Sequence, residues 1–428
     1  MPDIAEVLEL ISNKEIFFHF NSDHVDWTDN VPVDLIIQSE NKKFTIPLSD
    51  PADIEKLAAS FYFYTKNSRL LSWNVKNFFS FFKKKSSINI NLGQIYDFYI
   101  ISSYFCLPKK KPQNLKEASF LIDQITGTKK WKDFEKFYNG VFYPLITKVI
   151  PDIETNSLVD TLNRKVVYSY YEVEGQINGR LKNLKNLKNC FMPHSMGEIT
   201  RKNIKLPNDD HVFVYLDYKH MEVSILEWIT NDPNLSKIVN SKNDLYESIW
   251  EKLTGQSATS GQREICKNIF LPILFGQKSY SLSKRIGIEE KSAEKLIYKL
   301  RRSFPVAFSW IDSQDVDSNN MATDIFGRRR KFEEELYKIK NFCIQSPSNM
   351  VCLRKLVKLH EAIKDQAKLC MHIHDGYILS CQKQKLESVY RLAKQTLEEE
   401  EDMFPNLRLK VSCKFGENLN ELKNIKEN

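Results

Sequence analysis

The order of apolar and polar residues predicts an α/β protein. Residues 15–47 contain three short runs, IFFHF, VDLIIQS and KKFTIPL, which are rich in β-branched and aromatic residues and typical of strands. A helical apolar spacing follows at 52–65 and returns, after the strand-like run RLLSWNV, in NFFSFF. Further helices are expected up to about residue 150, and Pro144 and Pro151 indicate a soft domain boundary there.

The second part of the chain predicts one sheet that is interrupted by a helical insertion. The runs KVVYSYYEV and HVFVYL are expected to be strands, and MEVSILEWIT a helix. A mostly helical block extends from Asp244 to about Phe304, and after a turn at Gly327 a long amphipathic helix is expected over roughly 337–365. The hairpin LCMHIHDGYILS, a helix at 385–400 and the strand LRLKVSCKF complete the chain. The KNLKNLKN run before HVFVYL is expected to be a solvated loop.

Length and composition describe a folded protein of two or three domains, since a domain takes roughly 150 residues and the chain has 428. Its hydrophobic fraction of 42% and its few Pro and Gly residues argue against disorder. Lys and Arg exceed Asp and Glu by 62 − 55 = 7, which suits an anionic partner without identifying one.

The cysteine pattern and the absence of long apolar segments indicate the cellular compartment. The eight cysteines are scattered singly with no CxxC pair, which indicates reduced thiols in a cytosol. Residues 1–16 are acidic and amphipathic, so no signal peptide is expected, and no run approaches the ~20 apolar residues of a membrane span. We therefore expect a cytoplasmic protein.

Two aspartates stand at the ends of apolar strands that are distant in sequence. VFVYL places Asp217 at its C-terminal end, and CMHI leads into His374, Asp375 and Gly376 at a hairpin turn. Strand ends can bring two carboxylates within a few ångströms, the arrangement that holds two Mg²⁺ ions ~3.5–4 Å apart for in-line phosphoryl displacement. A single aspartate at such a position is more often a turn or cap residue, so the prediction needs further support.

That support comes from four residues at four-residue spacing, which share one face of a predicted helix: Arg263, Lys267, Leu271 and Phe275. Two cations near the start of the helix and an aromatic ring at its end suit a triphosphate and a base. Taken alone, the same pattern is more often an amphipathic core helix with snorkelling basic side chains. It gains weight from its position between the two aspartates.

These elements and their order resemble DNA polymerase family A, the bacterial polymerase I type. LDYKHMEVSILEWITND resembles motif A of that family, REICKNIFLPILFG its finger-helix motif B, and MHIHDGYILS its motif C. Four further segments match in family order: GRLKN, FGRRRKF, FCIQSPSN and KFGENLNELK. The resemblance covers roughly residues 165–428. It implies the polymerase right hand, with a palm at 179–240 and 341–428 and fingers at 241–340.

The resemblance also implies a role for each matching residue. Asp217 and Asp375, with the carbonyl of Tyr218, would bind two Mg²⁺ ions, or Mn²⁺ in their place. Arg263 and Lys267 would hold the incoming triphosphate, because the forked guanidinium of arginine and the compact ammonium of lysine both bind phosphate oxygens well. The other implied site residues are Leu271, Phe275, Glu222 and Tyr246 on the nucleotide side, and Arg180, Gln345, Asn349, Gly276 and His374 on the primer–template side.

Glu222 bears on the choice between DNA and RNA synthesis. It stands five residues after Asp217, where the family places the side chain that blocks a ribose 2′-hydroxyl, and this favours deoxynucleotides. The alternative is an ordinary exposed helix glutamate. Phe275 stands where the family has a tyrosine, so a hydroxyl that could anchor Glu222 is lost and sugar discrimination could be looser.

Other positions also depart from the family pattern. Leu271 replaces an aromatic residue, Tyr246 a histidine near the triphosphate, and Asn341 an arginine near the primer. Pro272 lies inside the predicted finger helix, where it removes the hydrogen bond to the carbonyl of Asn268 and is expected to kink the axis.

Residues 1–150 resemble, more faintly, the 3′–5′ exonuclease (RNase H-like) domain of the family. IFFHFNSDH, WNVKNF and YNGVF match its three motifs. Where two-metal hydrolysis needs carboxylates, the chain offers Asn21, Asp23, Phe78 and Phe142, and neutral side chains cannot compensate two dications. We expect no proofreading and a structural or DNA-guiding role. An unrelated α/β module is the alternative.

Only some 30 residues, 151–178, connect this region to GRLKN, which is too few for the long helical thumb of the family. Fewer phosphate contacts predict weak, salt-sensitive DNA binding and low processivity without a processivity or helicase partner. The expected partners are primer–template DNA and deoxynucleotides, in a bacterial or phage-infected cell. Two alternatives stay open: a related single-subunit RNA polymerase or primase-like enzyme, and a non-catalytic nucleic-acid-binding relative.

Overall fold

The computed structural model describes residues 7, 15–21, 34–39, 42–64, 69–88, 90, 92, 95–106, 111–126, 128–156, 158–169, 171–173, 176, 178–183, 190–191 and 193–425. The chain forms two compact units. The first comprises Met1–Asp217, Cys352–Leu397 and Ser412–Asn428, and the second comprises Tyr218–Val351 and Glu398–Val411.

The first unit begins with a five-stranded sheet of its own, in the order β3-β2-β1-β4-β5. Its strands are β1 (Glu15–Phe20), β2 (Asp34–Gln38), β3 (Lys43–Pro47), β4 (Arg69–Ser72) and β5 (Ile95–Asp97). The central strand β1 runs antiparallel to β2 and parallel to β4. Its residues 16–20 are all buried, as expected for a strand covered on both faces. The predicted α/β unit is confirmed, and β5 is a strand that the sequence pattern did not indicate.

Helices follow the strands of this sheet: α1 (Pro51–Tyr64), α2 (Val75–Lys85), α3 (Phe98–Phe105), α4 (Leu115–Thr126) and α5 (Lys129–Phe137). Every residue of α2 from Val75 to Phe82 is buried, so this helix is internal rather than amphipathic at the surface. The predicted strand RLLSWNV is shorter than expected, because the backbone turns at Asn74, in the left-handed region, and enters α2.

The helical path continues without interruption past residue 150. After α5 come two π-helical turns, Tyr138–Phe142 and Leu145–Val149, and then α6 (Ile150–Thr155). Helix α6 packs against α2. The soft boundary expected between Pro144 and Pro151 therefore falls inside a continuous helical segment of one compact unit.

Short strands connect this region to the second sheet system: β6 (Leu158–Asp160), β7 (Lys165–Ser169), β8 (Tyr171–Glu172), β9 (Lys182–Asn183), β10 (Cys190–Phe191) and β11 (Ile204–Lys205), with helix α7 (Glu198–Asn203) before β11. Strands β10-β7-β6-β11 form one sheet and β8-β9 another. Most of the KNLKNLKN run, residues 184–189, lies outside the described residues.

The sheet that carries both conspicuous aspartates has the order β15-β16-β12-β17-β18. Its strands are β12 (His211–Tyr218), β15 (Ala367–Ile373), β16 (Gly376–Gln382), β17 (Val411–Gly416) and β18 (Lys423–Asn424), with helix α16 (Leu386–Glu398) between β16 and β17. Strands from the two ends of the second part of the chain thus share one sheet, as the sequence predicts. Phe213, Met371 and Ile378 belong to the apolar cluster beneath it.

The second unit is mostly helical. Its elements are α8 (Met221–Thr230), α9 (Pro233–Val239), α10 (Leu245–Thr254), α11 (Ser260–Leu274), α12 (Ser279–Ile286), α13 (Glu290–Ser303), α14 (Pro305–Asp312), the hairpin β13 (Met321–Thr323) and β14 (Arg329–Lys331), and α15 (Lys338–Ile363), which continues into the first unit at Cys352. A buried apolar cluster that includes Leu226, Ile249 and Phe270 holds these helices together. The predicted helical insertion is confirmed. Among the described residues, no helix combines the length and the apolar character required to cross a bilayer.

Candidate active site

The antiparallel register of β12 and β16 places Asp217 directly opposite Gly376, the residue after Asp375. Asp375 itself lies in the two-residue turn between β15 and β16, where His374 has a φ of 54°. Residues that are 158 positions apart in sequence are therefore neighbours in the first unit. The sequence prediction that the two strand ends meet is confirmed by this register.

The two carboxyl groups influence each other electrostatically. Burial, followed by the negative charge of Asp375, raises the pKa of Asp217 to about 6. Burial also raises the pKa of Asp375, while Arg180 and His374 act in the opposite direction. Two partly buried acids that repel each other when ionised fit a position at which a divalent cation supplies the missing positive charge.

Because Gly376 has no side chain, the Asp217 carboxylate and the Tyr215 ring can both occupy the space beside it. A Cβ atom at position 376 would lie 3.1 Å from Oδ1 of Asp217, 2.7 Å from Cε2 of Tyr215 and 2.9 Å from the Tyr215 hydroxyl oxygen. The Tyr215 hydroxyl donates a hydrogen bond to the Asp217 carboxylate. On the other side of Asp217, the Ser412 hydroxyl donates to its main-chain carbonyl at 3.2 Å.

Two predicted DNA contacts in the first unit lie near Asp375. The positive charge of Arg180 contributes to the lowered pKa of His374, after burial, and it also acts on Asp375. The backbone N–H of Arg180 donates to the side chain of Asn178 at 3.2 Å. The side chains of Arg180, His374 and Asp375 therefore interact electrostatically at the hairpin turn.

In the second unit, helix α11 displays the predicted cationic residues. Thr259 and Gln262 form a capping box that starts the helix one turn before Arg263. Arg263 is partly buried, Lys267 is exposed, and Leu271 is partly buried against the core of the unit. Phe275 follows the last helical residue and also packs on that core. Pro272 lies in the last turn, and α11 continues through it as a single helix.

Arg263 has two partners that connect α11 to α10. Its Nη2 lies 2.8 Å from Oδ2 of Asp244, and its guanidinium carbon lies 5.7 Å from the ring centroid of Tyr246. The other carboxylate oxygen of Asp244 accepts the backbone N–H groups of Tyr246 and Glu247, which caps the start of α10. Asp244 thus fixes both the helix start and the arginine.

Tyr246 is buried beneath these charges. Only 4% of it is exposed, and its ring meets that of His220 edge to face at a centroid distance of 5.0 Å. Burial, followed by the negative charge of Glu222, raises the pKa of Tyr246 to about 12. His220, whose pKa is lowered by burial, also experiences the positive charges of Arg263 and Lys267. The predicted triphosphate residues and Glu222 are therefore brought together around Tyr246.

The remaining predicted residues of the second unit divide into accessible and buried ones. Glu222 is partly buried, and its Oε1 accepts a hydrogen bond from Nε2 of Gln345 at 3.4 Å. Gly276 is exposed and adopts a φ of 88°, a value that glycine adopts readily. Asn349, by contrast, is 2% exposed, and its side-chain amide makes no hydrogen bond in the part of the chain that the structure describes.

Comparison with known proteins identifies the family. The family model for DNA polymerase family A matches residues 124–421. The chain belongs to DNA polymerase family A. Its relatives include DNA polymerase I, thermostable, of Thermus aquaticus, with 22% identity over 66% of this chain and 34% of the relative.

Two further relatives show the breadth of the family. DNA polymerase I of Chloroflexus aurantiacus is 26% identical over 62% of this chain and 30% of its own length. DNA polymerase theta of Caenorhabditis elegans is 22% identical over 60% of this chain and 16% of its own length. The chain thus spans about a third or less of the length of these curated relatives.

Few side chains of this family A chain are available to bind a metal ion. In the described residues, no cluster of three or more His, Cys, Asp or Glu side chains has a metal-binding arrangement. The carboxylates of Asp217 and Asp375 supply hard oxygen ligands, and Mg²⁺ commonly takes one or two carboxylates together with water and substrate phosphate oxygens. The donor set therefore fits Mg²⁺.

Two of the four residues that the sequence comparison sets against exonuclease acids, Phe78 and Phe142, lie in apolar packing. Phe78 is 2% exposed, and its ring centroid lies 4.6 Å from Phe82 and 4.9 Å from both Phe18 and Phe61. Phe142 is fully buried. Asn21 donates its amide to the Asp34 carboxylate at 3.0 Å, whereas Asp23 lies outside the described residues.

Sequence reasoning missed two residues that interact with predicted site residues, one in each unit. Tyr215 precedes Asp217 by two positions, so strand alternation alone places both on one face of β12. Asp244 precedes an apolar helix by one residue, a capping position whose second role toward Arg263 the sequence does not reveal. The first could have been found from periodicity, and the second required the tertiary structure.

Proposed function

We propose that this family A chain is a template-directed DNA polymerase that adds deoxynucleotides to a primer 3′ end by two-metal phosphoryl transfer. The observation that carries the proposal is the β12–β16 register, which makes Asp217 a neighbour of the Asp375 turn. A strand pair with a purely structural role gains nothing from two partly buried acids, one of which raises the pKa of the other. A site for divalent cations does.

The residues of the chain have separate tasks in this proposal. Asp217 and Asp375, with the carbonyl of Tyr218, would hold the two Mg²⁺ ions, which supply charge stabilisation and a more acidic primer hydroxyl when bound. Arg263 and Lys267 bind the triphosphate oxygens. A guanidinium has five N–H donors, so Arg263 can keep its bond to Asp244 and still donate to phosphate.

Nucleotide selection falls to residues near Glu222. Gln345 holds Glu222 by a hydrogen bond, and the Glu222 carboxylate is proposed to exclude a 2′-hydroxyl. Phe275 and Leu271 offer the apolar surface for the nascent pair, and Gly276 leaves room for the template base. Arg180, His374, Gln345 and Asn349 are proposed to contact primer–template, and Asn349 must become accessible in order to do so because it is 2% exposed.

We further propose that the N-terminal region does not proofread. Phe78 and Phe142 occupy two of the matched acid positions, and the aromatic packing around Phe78 leaves no carboxylate there. The domain roles follow: an exonuclease-like region at 1–150, a reduced thumb or connector at 151–178, palm at 179–240 and 341–428, and fingers at 241–340. A short thumb implies low processivity unless a processivity or helicase partner assists.

Primer extension tests the proposal directly. Wild type and Asp375→Asn are compared on a labelled primer–template with deoxynucleotides or ribonucleotides and with Mg²⁺ or Mn²⁺. Extension by wild type, with a loss of at least about 10³-fold in the variant, is expected because one of two metal-binding carboxylates is gone. No incorporation by wild type under any of these conditions would favour a nucleic-acid-binding relative, and a preference for ribonucleotides would favour an RNA polymerase or primase-like enzyme.

The same preparation tests proofreading and processivity. A primer with a mismatched 3′ end and no nucleotides is expected to stay intact, and 3′ shortening that survives in Asp375→Asn would contradict the proposal. With a heparin trap, each binding event is expected to give a short product that shortens further as the salt concentration rises.

A further inference from the structure

Tyr215 and Asp217 project from the same face of β12, because side chains two residues apart on a strand point the same way. On the neighbouring strand β16, the residue opposite Asp217 is Gly376. A glycine has no side chain on that face, so the Tyr215 ring extends over the position where a Cβ would stand. The hydroxyl oxygen comes within 2.9 Å of that position, and Oδ1 of Asp217 within 3.1 Å.

The backbone of Gly376 does not require glycine. The described glycines with positive φ are Gly179, Gly255, Gly276, Gly287 and Gly327, and Gly376 is not among them. A side chain at position 376 would instead be excluded by a steric clash. Its Cβ would lie 2.7 Å from Tyr215 Cε2, so the Tyr215 ring would have to move. Gly376 therefore forms a slot that is filled by the Tyr215 ring.

We infer that Tyr215 is a positioning residue for the metal-binding carboxylate: from the slot above Gly376 its hydroxyl is placed to donate a hydrogen bond that orients Asp217. The inference rests on the proposed function, because it takes Asp217 to be a metal ligand. Groups that hydrogen-bond a ligating carboxylate fix its direction, and their removal typically weakens metal binding by about 10- to 100-fold.

The chemistry of a phenol suits this task. An ionised carboxylate offers about four lone-pair sites on two oxygens. One hydrogen bond from Tyr215 leaves sites for metal ions on both oxygens. A lysine or arginine in the slot would also orient the carboxylate, but its positive charge would oppose a divalent cation. The neutral hydroxyl directs the carboxylate and leaves its charge available.

The strand also holds Asp217 from its main-chain side. The Ser412 hydroxyl donates to the Asp217 carbonyl at 3.2 Å, so the backbone is fixed independently of the side chain. Loss of the Tyr215 hydroxyl should therefore free the carboxylate rotamer and leave the strand in place. That difference separates a positioning role from a purely structural one.

The test measures Mn²⁺ binding to the full chain, without DNA or nucleotide, by electron paramagnetic resonance. Wild type is compared with Tyr215→Phe, with Asp375→Asn, and with Tyr143→Phe, whose hydroxyl donates to the Leu92 carbonyl at 2.9 Å. We expect Tyr215→Phe to bind Mn²⁺ about 10-fold more weakly and Tyr143→Phe to match wild type. Metal binding should also produce a tyrosine ultraviolet difference spectrum in wild type that Tyr215→Phe lacks.

A second pair of variants uses the slot itself. Gly376→Ala is expected to weaken Mn²⁺ binding because its Cβ collides with the Tyr215 ring, and adding Tyr215→Ala should recover part of that loss. Unchanged Mn²⁺ affinity in Tyr215→Phe, or a double variant no better than Gly376→Ala, would overturn the inference while leaving the polymerase proposal intact. Wild type that binds Mn²⁺ no better than Asp375→Asn would overturn both.

Discussion

The hydroxyl of Tyr171 holds both main-chain groups of His372: it donates to the His372 carbonyl at 3.0 Å and accepts the His372 N–H at 3.0 Å. His372 lies on β15, which is the edge strand of its sheet and leads into the turn with Asp375. One buried phenol thus forms hydrogen bonds to the two main-chain groups of His372 that a further strand would otherwise bind at this edge.

We therefore expect Tyr171→Phe to destabilise the β15–β16 hairpin. The change leaves one buried N–H and one carbonyl without their partner, which costs on the order of 1–3 kcal/mol. Urea denaturation measures the loss, and primer extension should fall with it. The matched control is Tyr337→Phe, whose tyrosine is 66% exposed and pairs with Glu335, and which should leave both readouts unchanged.

A buried ion pair connects the N-terminal region to the same tyrosine. Lys76 Nζ lies 3.0 Å from Glu154 Oε1, and the Glu154 carboxylate also accepts Ser80 Oγ at 2.7 Å and the Tyr171 N–H at 2.9 Å. Both charged residues are almost fully buried, at 3% and 2% exposure. Helix α2, which carries Phe78, is thereby joined to the strand that supports His372.

From this network we expect Glu154→Ala to cost about 3–5 kcal/mol, since it leaves a buried ammonium without its partner. The double variant Lys76→Met, Glu154→Leu should be less destabilised than Glu154→Ala, because no unpaired charge remains. A thermal denaturation cycle on the single and double variants measures the coupling. Additive losses would show that the pair has no structural role.

Asp244 is predicted to act on nucleotide binding through Arg263. Asp244→Asn keeps a good helix cap but removes the charge 2.8 Å from the guanidinium. We expect the KM for deoxynucleotides to rise about 3- to 10-fold with little change in kcat, since ground-state orientation is lost. Steady-state extension over a range of nucleotide concentrations measures the split. A fall in kcat alone, with KM unchanged, would contradict this role.

Sugar discrimination is predicted to depend on Glu222. Glu222→Ala removes the carboxylate that Gln345 holds at 3.4 Å, so ribonucleotide incorporation should rise about tenfold relative to deoxynucleotides. Single-nucleotide extension with each sugar measures the ratio. Glu222→Gln, which keeps the volume, serves as the control and should retain most of the discrimination.

Asp97 is expected to make the stability of the N-terminal region depend on pH. Burial raises its pKa to about 6, although the backbone N–H groups of Val75, Tyr99 and Asn74 oppose the shift. The folded state then holds the proton more tightly than the unfolded state, for which 3.8 is the reference value. The unfolding free energy should therefore fall as pH rises between about 4 and 6, by on the order of 2 kcal/mol.

Asp97→Asn removes this titration and isolates the contribution. The variant should be less stable overall, because an amide offers one acceptor oxygen where the carboxylate uses two for Asn74, Val75 and Tyr99. Its unfolding free energy should be flatter over that pH range. Urea titrations of both proteins from about pH 4 to 7 measure the difference, and parallel pH profiles would show that Asp97 does not titrate there.

Local pattern was sufficient for much of the architecture. Strand alternation and helix periodicity predicted β1, β12, β16, α8 and α15 to within a few residues, because each element carries its apolar pattern within its own sequence. The same patterns placed Asp217 and Asp375 at strand ends. The short strand β5 was missed because three residues are too few to show an alternation of apolar and polar positions.

Only the tertiary structure decided which of these residues meet. The β12–β16 register makes Gly376 a slot for Tyr215, and the helix packing makes Asp244 a partner of Arg263, because both depend on contacts across long separations in sequence. The continuous helical segment through residue 150 and the burial of Asn349 were likewise invisible to local pattern. The sequence by itself determined the elements and the chemical groups, while long-range packing determined the distances between those groups.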